Sequence, residues 1–207
     1  MKCLAILGAG GHGKVVADAA LTAGWNEIHF YDSSWPERKK NSHWPILGND
    51  QILMSKLDQY DGVIVAIGDN QVRWQKYQML IERKAKIVSI VHPSAQVSKY
   101  AQLGIGSVVL ANAVLNVDAQ IGDACIINVG ATIDHDSNIA SAVHVCPGSN
   151  LSGAVFVGEK SWVGVGASVK QGIKIGQQVM IGAGAIVVAD VPDGLVVVGN
   201  PAKSIHS

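Results

Sequence analysis

The sequence has no net charge: sixteen Lys and Arg residues balance sixteen Asp and Glu residues over 207 positions. That balance removes the basic footprint on which nucleic-acid binding rests, because such affinity comes largely from phosphate neutralisation. No apolar run approaches the roughly 18 residues of a membrane-spanning helix. The start, Met1-Lys2-Cys3-Leu4-Ala5-Ile6-Leu7, is too short for a signal peptide and runs straight into a glycine loop. Cysteine is scarce, and the three present fall in no metal-ligand or disulfide spacing. A reducing cytoplasm fits these absences best, and no metal is expected at the functional site. Aromatic residues are also few, with two Phe, four Tyr and five Trp against 23 Gly. Tight turns therefore replace a bulky aromatic core.

What remains divides into two halves. Residues 1–92 alternate strand and helix signals. Leu4-Ala5-Ile6-Leu7 reads as a short buried strand before the loop Gly8-Ala9-Gly10-Gly11-His12-Gly13. A helix follows, with Val15, Val16, Ala19 and Ala20 as its apolar positions. Ile28–Tyr31 and Gly62–Ile67 read as further strands, ending at Asp32 and Gly68-Asp69-Asn70, and Ile87–Ile90 as a last one. Strands alternating with helices predict a small Rossmann-like α/β domain with a parallel sheet. His92-Pro93 marks the boundary, because a residue before proline is pushed out of the helical region.

Residues 93–207 obey a different rule. A branched apolar residue occupies every sixth position from Val97 through Val109, Ile127, Val145 and Val163 to Val187, without a slip. A small residue usually sits two positions earlier (Ala101, Ser107, Ala113, Cys125, Ala131, Ser137), and glycine often follows, as at Gly104, Gly122 and Gly158. A period of six fits neither a 3.6-residue helix nor a meander; it is the hexapeptide signature of an all-β parallel β-helix. Three hexads then make one triangular coil, with the branched and small residues both pointing inward.

Taken together, Gly10-Gly11-His12-Gly13, Ala66-Ile67-Gly68-Asp69-Asn70, Ile133-Asp134-His135-Asp136, His144 and Gly199-Asn200-Pro201-Ala202-Lys203 give the chain a family likeness. Along its whole length it resembles the bacterial sugar O- and N-acetyltransferases, above all the UDP-4-amino-sugar N-acetyltransferases of the bacillosamine pathway. Sialic acid O-acetyltransferases are relatives of that group. The resemblance implies left-handed coiling, a homotrimer with sites between subunits, acetyl-coenzyme A as co-substrate, and a UDP-linked amino sugar as acceptor.

Acetyl transfer to an amine needs a base for the proton, a donor for the oxyanion, and both substrates held in line. His135 is the candidate base, since an imidazole titrates near neutrality, and Asp136 is its orienting partner. The resembling enzymes carry His-Glu here, so Asp136 is the shorter of the two acids. With Ile133 inward, both residues fall on the following turn and face outward. The resemblance makes His144 a second substrate- or acetyl-contacting histidine and Asn128 a substrate neighbour. His144 lies nine residues after His135, half of an 18-residue coil, so a single pocket is expected to take the two from different chains.

For coenzyme A the matched positions are Gly153, Val165 and Ala183, with the Gly153 N–H as oxyanion donor and Lys203 near the phosphates. Ala183 stands where the family has glycine. The N-terminal loop fits Gly-x-Gly-x-x-Gly between a strand and a helix, a place where backbone N–H groups cradle a pyrophosphate. That pattern alone usually reads as NAD binding, but about 92 residues hold one mononucleotide unit rather than two. The resemblance puts Gly10, Gly11 and His12 at the pyrophosphate, and Gly68, Asp69, Asn70, Arg73 and Asp32 near the nucleoside or sugar. O-acetylation of sialic acid, a dTDP-linked acceptor, an NAD-linked oxidoreductase and a non-catalytic scaffold are the rival readings.

Overall fold

A computed structural model describes residues 1–205, which form two compact units meeting at Pro93 and Ser94. In the first unit β1 (Cys3–Leu7) leads through the glycine loop into α1 (Gly11–Thr22) and then β2 (Glu27–Tyr31). The chain continues through β3 (Lys40–Asn41), β4 (Trp44–Gly48), α2 (Asp50–Met54), β5 (Gly62–Val65) and α3 (Asn70–Glu82). The sheet runs in the order β3-β4-β2-β1-β5, parallel except for the β3–β4 hairpin, which the sequence reading did not include. Leu4, Ile6, Phe30 and Ile64 are wholly buried in it.

Helix α1 buries Gly13, Val16, Ala17 and Ala20, a spacing of three, four and seven, whereas Val15 is 42% exposed. The expected apolar face is thus rotated away from Val15. The expected strand at Ile87–Ile90 is reduced to one bridge, Val63 to Ile87, followed by the separate strand Ile90–Val91. There the Val88 side chain packs over Gly62 and occupies the space that a Cβ on Gly62 would need.

The second unit is a parallel β-helix. Sixteen two-residue strands, from Gln96–Val97 to Ile186–Val187, each contain one apolar position of the six-residue repeat. Each strand up to Ser168–Val169 pairs in parallel with the strand eighteen residues on, as Leu115 does with Ile133 and Ile133 with Leu151. Three sheets result: one through Val97, Leu115 and Ile133, a second through Leu103, Ile121 and Ile139, and a third through Val109, Ile127 and Val145. Ile127, Ile133, Val145, Val157 and Val163 are fully shielded, each contributing about 1.5–3 kcal/mol of burial. Val97 in the first coil is still 38% exposed.

The small inward serines carry polar ladders. Ser161 Oγ donates to Gly176 O at 2.7 Å and accepts from the Val179 N–H at 3.0 Å. Ser107 and Ser137 repeat the arrangement. A hydroxyl at this position joins successive coils where alanine would only fill space.

The glycines that follow the apolar position are not the turn residues the sequence suggested. A Cβ on Gly104 would lie 2.3 Å from the Gly122 carbonyl carbon in the next coil, so glycine here permits close stacking. The left-handed turn seat comes two residues later and is filled by Asp118, Ala124, Gly130, Asp136 and Ala142 in turn.

Candidate active site

His135 and Asp136 occupy the turn between the strands Thr132–Ile133 and Asn138–Ile139. Asp136 takes the left-handed seat, φ 57°, and its carboxylate Oδ2 lies 2.7 Å from His135 Nδ1. The short acid thus reaches the ring. With Nδ1–H donating to Asp136, Nε2 keeps a lone pair for an incoming proton. Asp134 supports the turn from the other side: its Oδ1 accepts the His135 N–H at 2.8 Å and an Asn116 Nδ2–H at 2.8 Å. The hydrogen bond to Asp136 and the charge of Asp134 hold the imidazole pKa above its ordinary value.

One coil further on lies Gly153, eighteen residues after His135, and its N–H has no acceptor among the described residues. A Cβ built there would come within 2.5 Å of His135 Cε1 and 2.6 Å of Nε2. The bare glycine is the floor on which the imidazole lies. Beside this edge a groove of ≈ 260 Å³ is lined by Asn116, Thr132, Asp134, Asn150 and Ser152.

His144 sits on another sheet, in the strand His144–Val145, and is only 5% exposed. Its ring stands edge-on to Trp162 at 4.2 Å, and Nε2 lies 3.0 Å from Asn128 Nδ2. Asn128 Oδ1 accepts the Val129 N–H at 2.8 Å, which leaves the amide NH₂ to face the histidine. In that hydrogen bond Nε2 is the acceptor. His144 and Asn128 therefore form one unit, separate within the chain from His135 and Asp136. Val165 and Ala183 project from turns one coil apart on a third edge, and both are exposed. Lys203 lies exposed in the short strand Lys203–Ser204.

In the first unit β1 and β5 are neighbours, with β2 on the far side of β1, so the strand order reverses between them. The crevice outside the carboxyl ends of strands at such a reversal is where open α/β sheets take ligands. The predicted loops converge there. A Cβ on Gly8 would meet Ala66 O at 2.8 Å and one on Gly13 would meet Gly8 O at 2.3 Å, so both glycines serve the fold. Gly10, Gly11 and Gly68 have nothing within 4 Å of a built Cβ and leave open room. Gly10 caps α1 without a side chain, and no acid stands in the first turn. His12 is held neutral, its pKa pulled down to about 4 by burial and by the charge of Arg73.

Arg73 itself is buried, donating to Ile67 O and Gly68 O at 3.0 Å and to Asn70 Oδ1 at 2.8 Å. Asp69 caps α3 through the Val72 N–H. Asp32 accepts from the Ala9 and Ser34 N–H groups at 2.7 and 2.9 Å. Burial works to raise its pKa, but the hydrogen bonds with Ser34 and Ala9, joined by the charge of Arg38, bring it below the ordinary carboxylate value. Asp32, Asp69, Asn70 and Arg73 thus build the crevice wall through their own bonds. Sequence reasoning missed Arg38, which donates to Ala9 O at 2.7 Å and to Asn41 Oδ1 at 2.6 Å beside the glycine loop. It lies in a stretch with no periodic signal.

A nucleotide-type crevice in one unit and a histidine-bearing parallel β-helix in the other define a hexapeptide-repeat acyltransferase. The PglD N-terminal domain family matches residues 3–80. UDP-N-acetylbacillosamine N-acetyltransferase of Bacillus subtilis is 38% identical over 120 residues, and the match spans 54% of this chain and about half, 52%, of that curated relative. The acetyltransferase domain of PglB from Neisseria gonorrhoeae, solved with acetyl coenzyme A, is 41% identical over 99% of both chains, with a TM-score of 0.94. A variant of perosamine N-acetyltransferase from Caulobacter crescentus, solved with CoA and GDP-perosamine, is 37% identical over 100% of this chain and 98% of that one, TM-score 0.95. The chain belongs to this family of bacterial sugar N-acetyltransferases with a Rossmann-like N-terminal domain and a C-terminal parallel β-helix.

Proposed function

We propose that the protein transfers an acetyl group from acetyl-coenzyme A to the 4-amino group of a UDP-linked amino sugar, with His135 as general base. The observation that carries the reading is the His135–Asp136 pair at 2.7 Å, with Nε2 left free over Gly153. The amine attacks the thioester carbonyl while Nε2 takes its proton. The Gly153 N–H steadies the oxyanion, and the intermediate collapses as coenzyme A thiolate leaves. The charge on Asp136 stabilises the imidazolium that forms. Gly10, Gly11 and the start of α1 receive the pyrophosphate, while Asp32, Asp69, Asn70 and Arg73 shape the nucleoside and sugar end. Val165, Ala183 and Lys203 line the path of coenzyme A. A GDP-linked acceptor is the second reading, favoured by the relative solved with GDP-perosamine.

His135 stands on the turn between two of the sheets and His144 in a strand of the third, and one pocket takes His135 from one protomer and His144 with Asn128 from its neighbour in a homotrimer. The three cysteines form no disulfide, and no helix among the described residues is long and apolar enough to cross a membrane, which fits a cytoplasmic enzyme. Thiol release from acetyl-coenzyme A, measured with a panel of UDP-, GDP- and dTDP-4-amino sugars, tests the reading. Turnover restricted to UDP sugars supports it, and equal turnover without any amino sugar refutes it.

Two further results are expected. Mixed trimers of His135→Ala and His144→Ala chains should regain a fraction of wild-type turnover that neither variant has alone; verified mixed trimers with no recovery would exclude the shared pocket. In the loop, Gly13→Ala should lower stability by about 1–3 kcal/mol through overpacking against Gly8. Gly11→Ala should leave the melting temperature unchanged and remove the thermal protection given by the sugar nucleotide. Differential scanning with and without ligand separates the two.

A further inference from the structure

At the opposite end of the first sheet, where β1 and β2 begin, a second group of reactive side chains meets. The parallel register sets Cys3 beside Glu27, and the pleat puts Glu27, His29 and Tyr31 on one face. Cys3 Sγ lies 3.6 Å from His29 Nδ1, and Tyr60 Oη lies 3.2 Å from that same nitrogen. His29 Nε2 is 2.8 Å from Glu27 Oε1, and Tyr60 is tied to Tyr31 by a 2.6 Å hydroxyl pair. With Nε2–H donating to Glu27, Nδ1 offers one lone pair. A thiol and a phenol both approach it, and the phenol can turn its proton to Tyr31, which leaves the Cys3 sulfur as the partner of that lone pair.

We propose that Cys3 and His29 bind a thiophilic divalent cation of the Zn²⁺ class, held between Sγ and Nδ1. Bonds of about 2.3 Å to sulfur and 2.0–2.1 Å to nitrogen at the tetrahedral angle place the two donors about 3.6 Å apart. The observed separation is 3.6 Å. Glu27 fills the outer role that carboxylates take behind metal-bound histidines, fixing the tautomer and the ring plane. Tyr60 Oη supplies a further oxygen, and water completes the shell. Binding displaces the thiol proton to solvent and forms the S–metal and N–metal bonds. Burial, and after it the negative charge of Glu27 and Asp61, raises the thiol pKa, and the same negative field favours a dication. With His29 21% and Glu27 57% exposed at their side chains, an ion can enter from solvent. Bound there, it clips β1 to β2 at the end of the sheet away from the nucleotide crevice.

The test is a titration of the full chain with Co²⁺, read by the near-ultraviolet thiolate-to-cobalt band, followed by displacement with Zn²⁺. One equivalent per chain is expected, with the band abolished in Cys3→Ser and in His29→Gln. Glu27→Gln changes an exposed side chain, so the fold is kept; the band should persist while affinity falls about 10–100-fold. Absence of the band in the wild-type chain, its survival in Cys3→Ser, or unchanged affinity in Glu27→Gln would each overturn the assignment. Cys125 and Cys146 are buried in the β-helix and are retained in every variant, so they serve as internal controls.

Discussion

Replacing His135 with alanine is expected to lower kcat for acetyl transfer by about 10²–10⁴-fold, the range for loss of a general base. Stability should not follow, because the side chain is 53% exposed and its lost contacts are to Asp136 and Gly153. Matched melting curves for the variant and the wild type check that point. The pH profile gives a sharper view. The base works only when unprotonated, so kcat/KM must fall on the acid side as His135 gains a proton. The Asp136 hydrogen bond is the largest influence holding its pKa above the ordinary value, followed by the charge of Asp134. In Asp136→Asn the pKa drops, so the acid limb moves to lower pH, while the plateau falls because the imidazole is a weaker base. Asp134→Asn should move the limb in the same direction. A limb that stays in place in Asp136→Asn would mean that the titrating group is not His135.

The second large effect is expected at Gly153, a residue that performs no proton transfer itself. Alanine there puts a methyl group 2.5 Å from the imidazole, and the ring has to lift or rotate. The coil has no need to move, since the obstructed atoms belong to an exposed side chain and the left-handed seat is at Ala154, not Gly153. A misplacement near 1 Å costs about 10²-fold in rate, so Gly153→Ala should lose activity on that scale with its melting temperature kept. Alanine retains the backbone N–H, so the loss reports on the ring alone. The double variant His135→Ala, Gly153→Ala should be no slower than His135→Ala, because the methyl group then has nothing to displace. Additive losses would assign Gly153 a role independent of the histidine.

The β-helix was legible because its rule is strict: one branched residue per hexad from Val97 to Val187 leaves little else that could bury so regular a pattern. The same arithmetic exposes the relation of Gly153 to His135, since adding one coil to 135 gives 153, a contact that its reading as a coenzyme A position and oxyanion donor leaves out. The reach of Asp136 to the ring depends on a left-handed φ, which no residue count reveals. Burial of His144 comes from Trp162 one coil on and Asn128 in the preceding coil, contacts set by stacking rather than by neighbours in sequence. In the first unit the glycine loop was readable from its motif. That Asp69 would cap a helix and Arg73 would tie down a strand end depended on where the helix starts, because both make local hydrogen bonds across that turn. The β3–β4 hairpin escaped because a two-residue strand such as Lys40–Asn41 carries no alternation to detect.

The strict pairing of each rung with the residue eighteen further on gives the C-terminal half something like a reading frame. Losing one residue anywhere between the hexads would turn the next strand inside out, sending polar groups into the prism. Gaining a whole hexad between positions 135 and 153 would preserve what faces in and out, yet rotate every later edge by a third of a turn and carry Gly153 away from His135. Only insertions of a full coil leave the edges aligned, so such proteins lengthen or shorten in units set by the circumference of the prism.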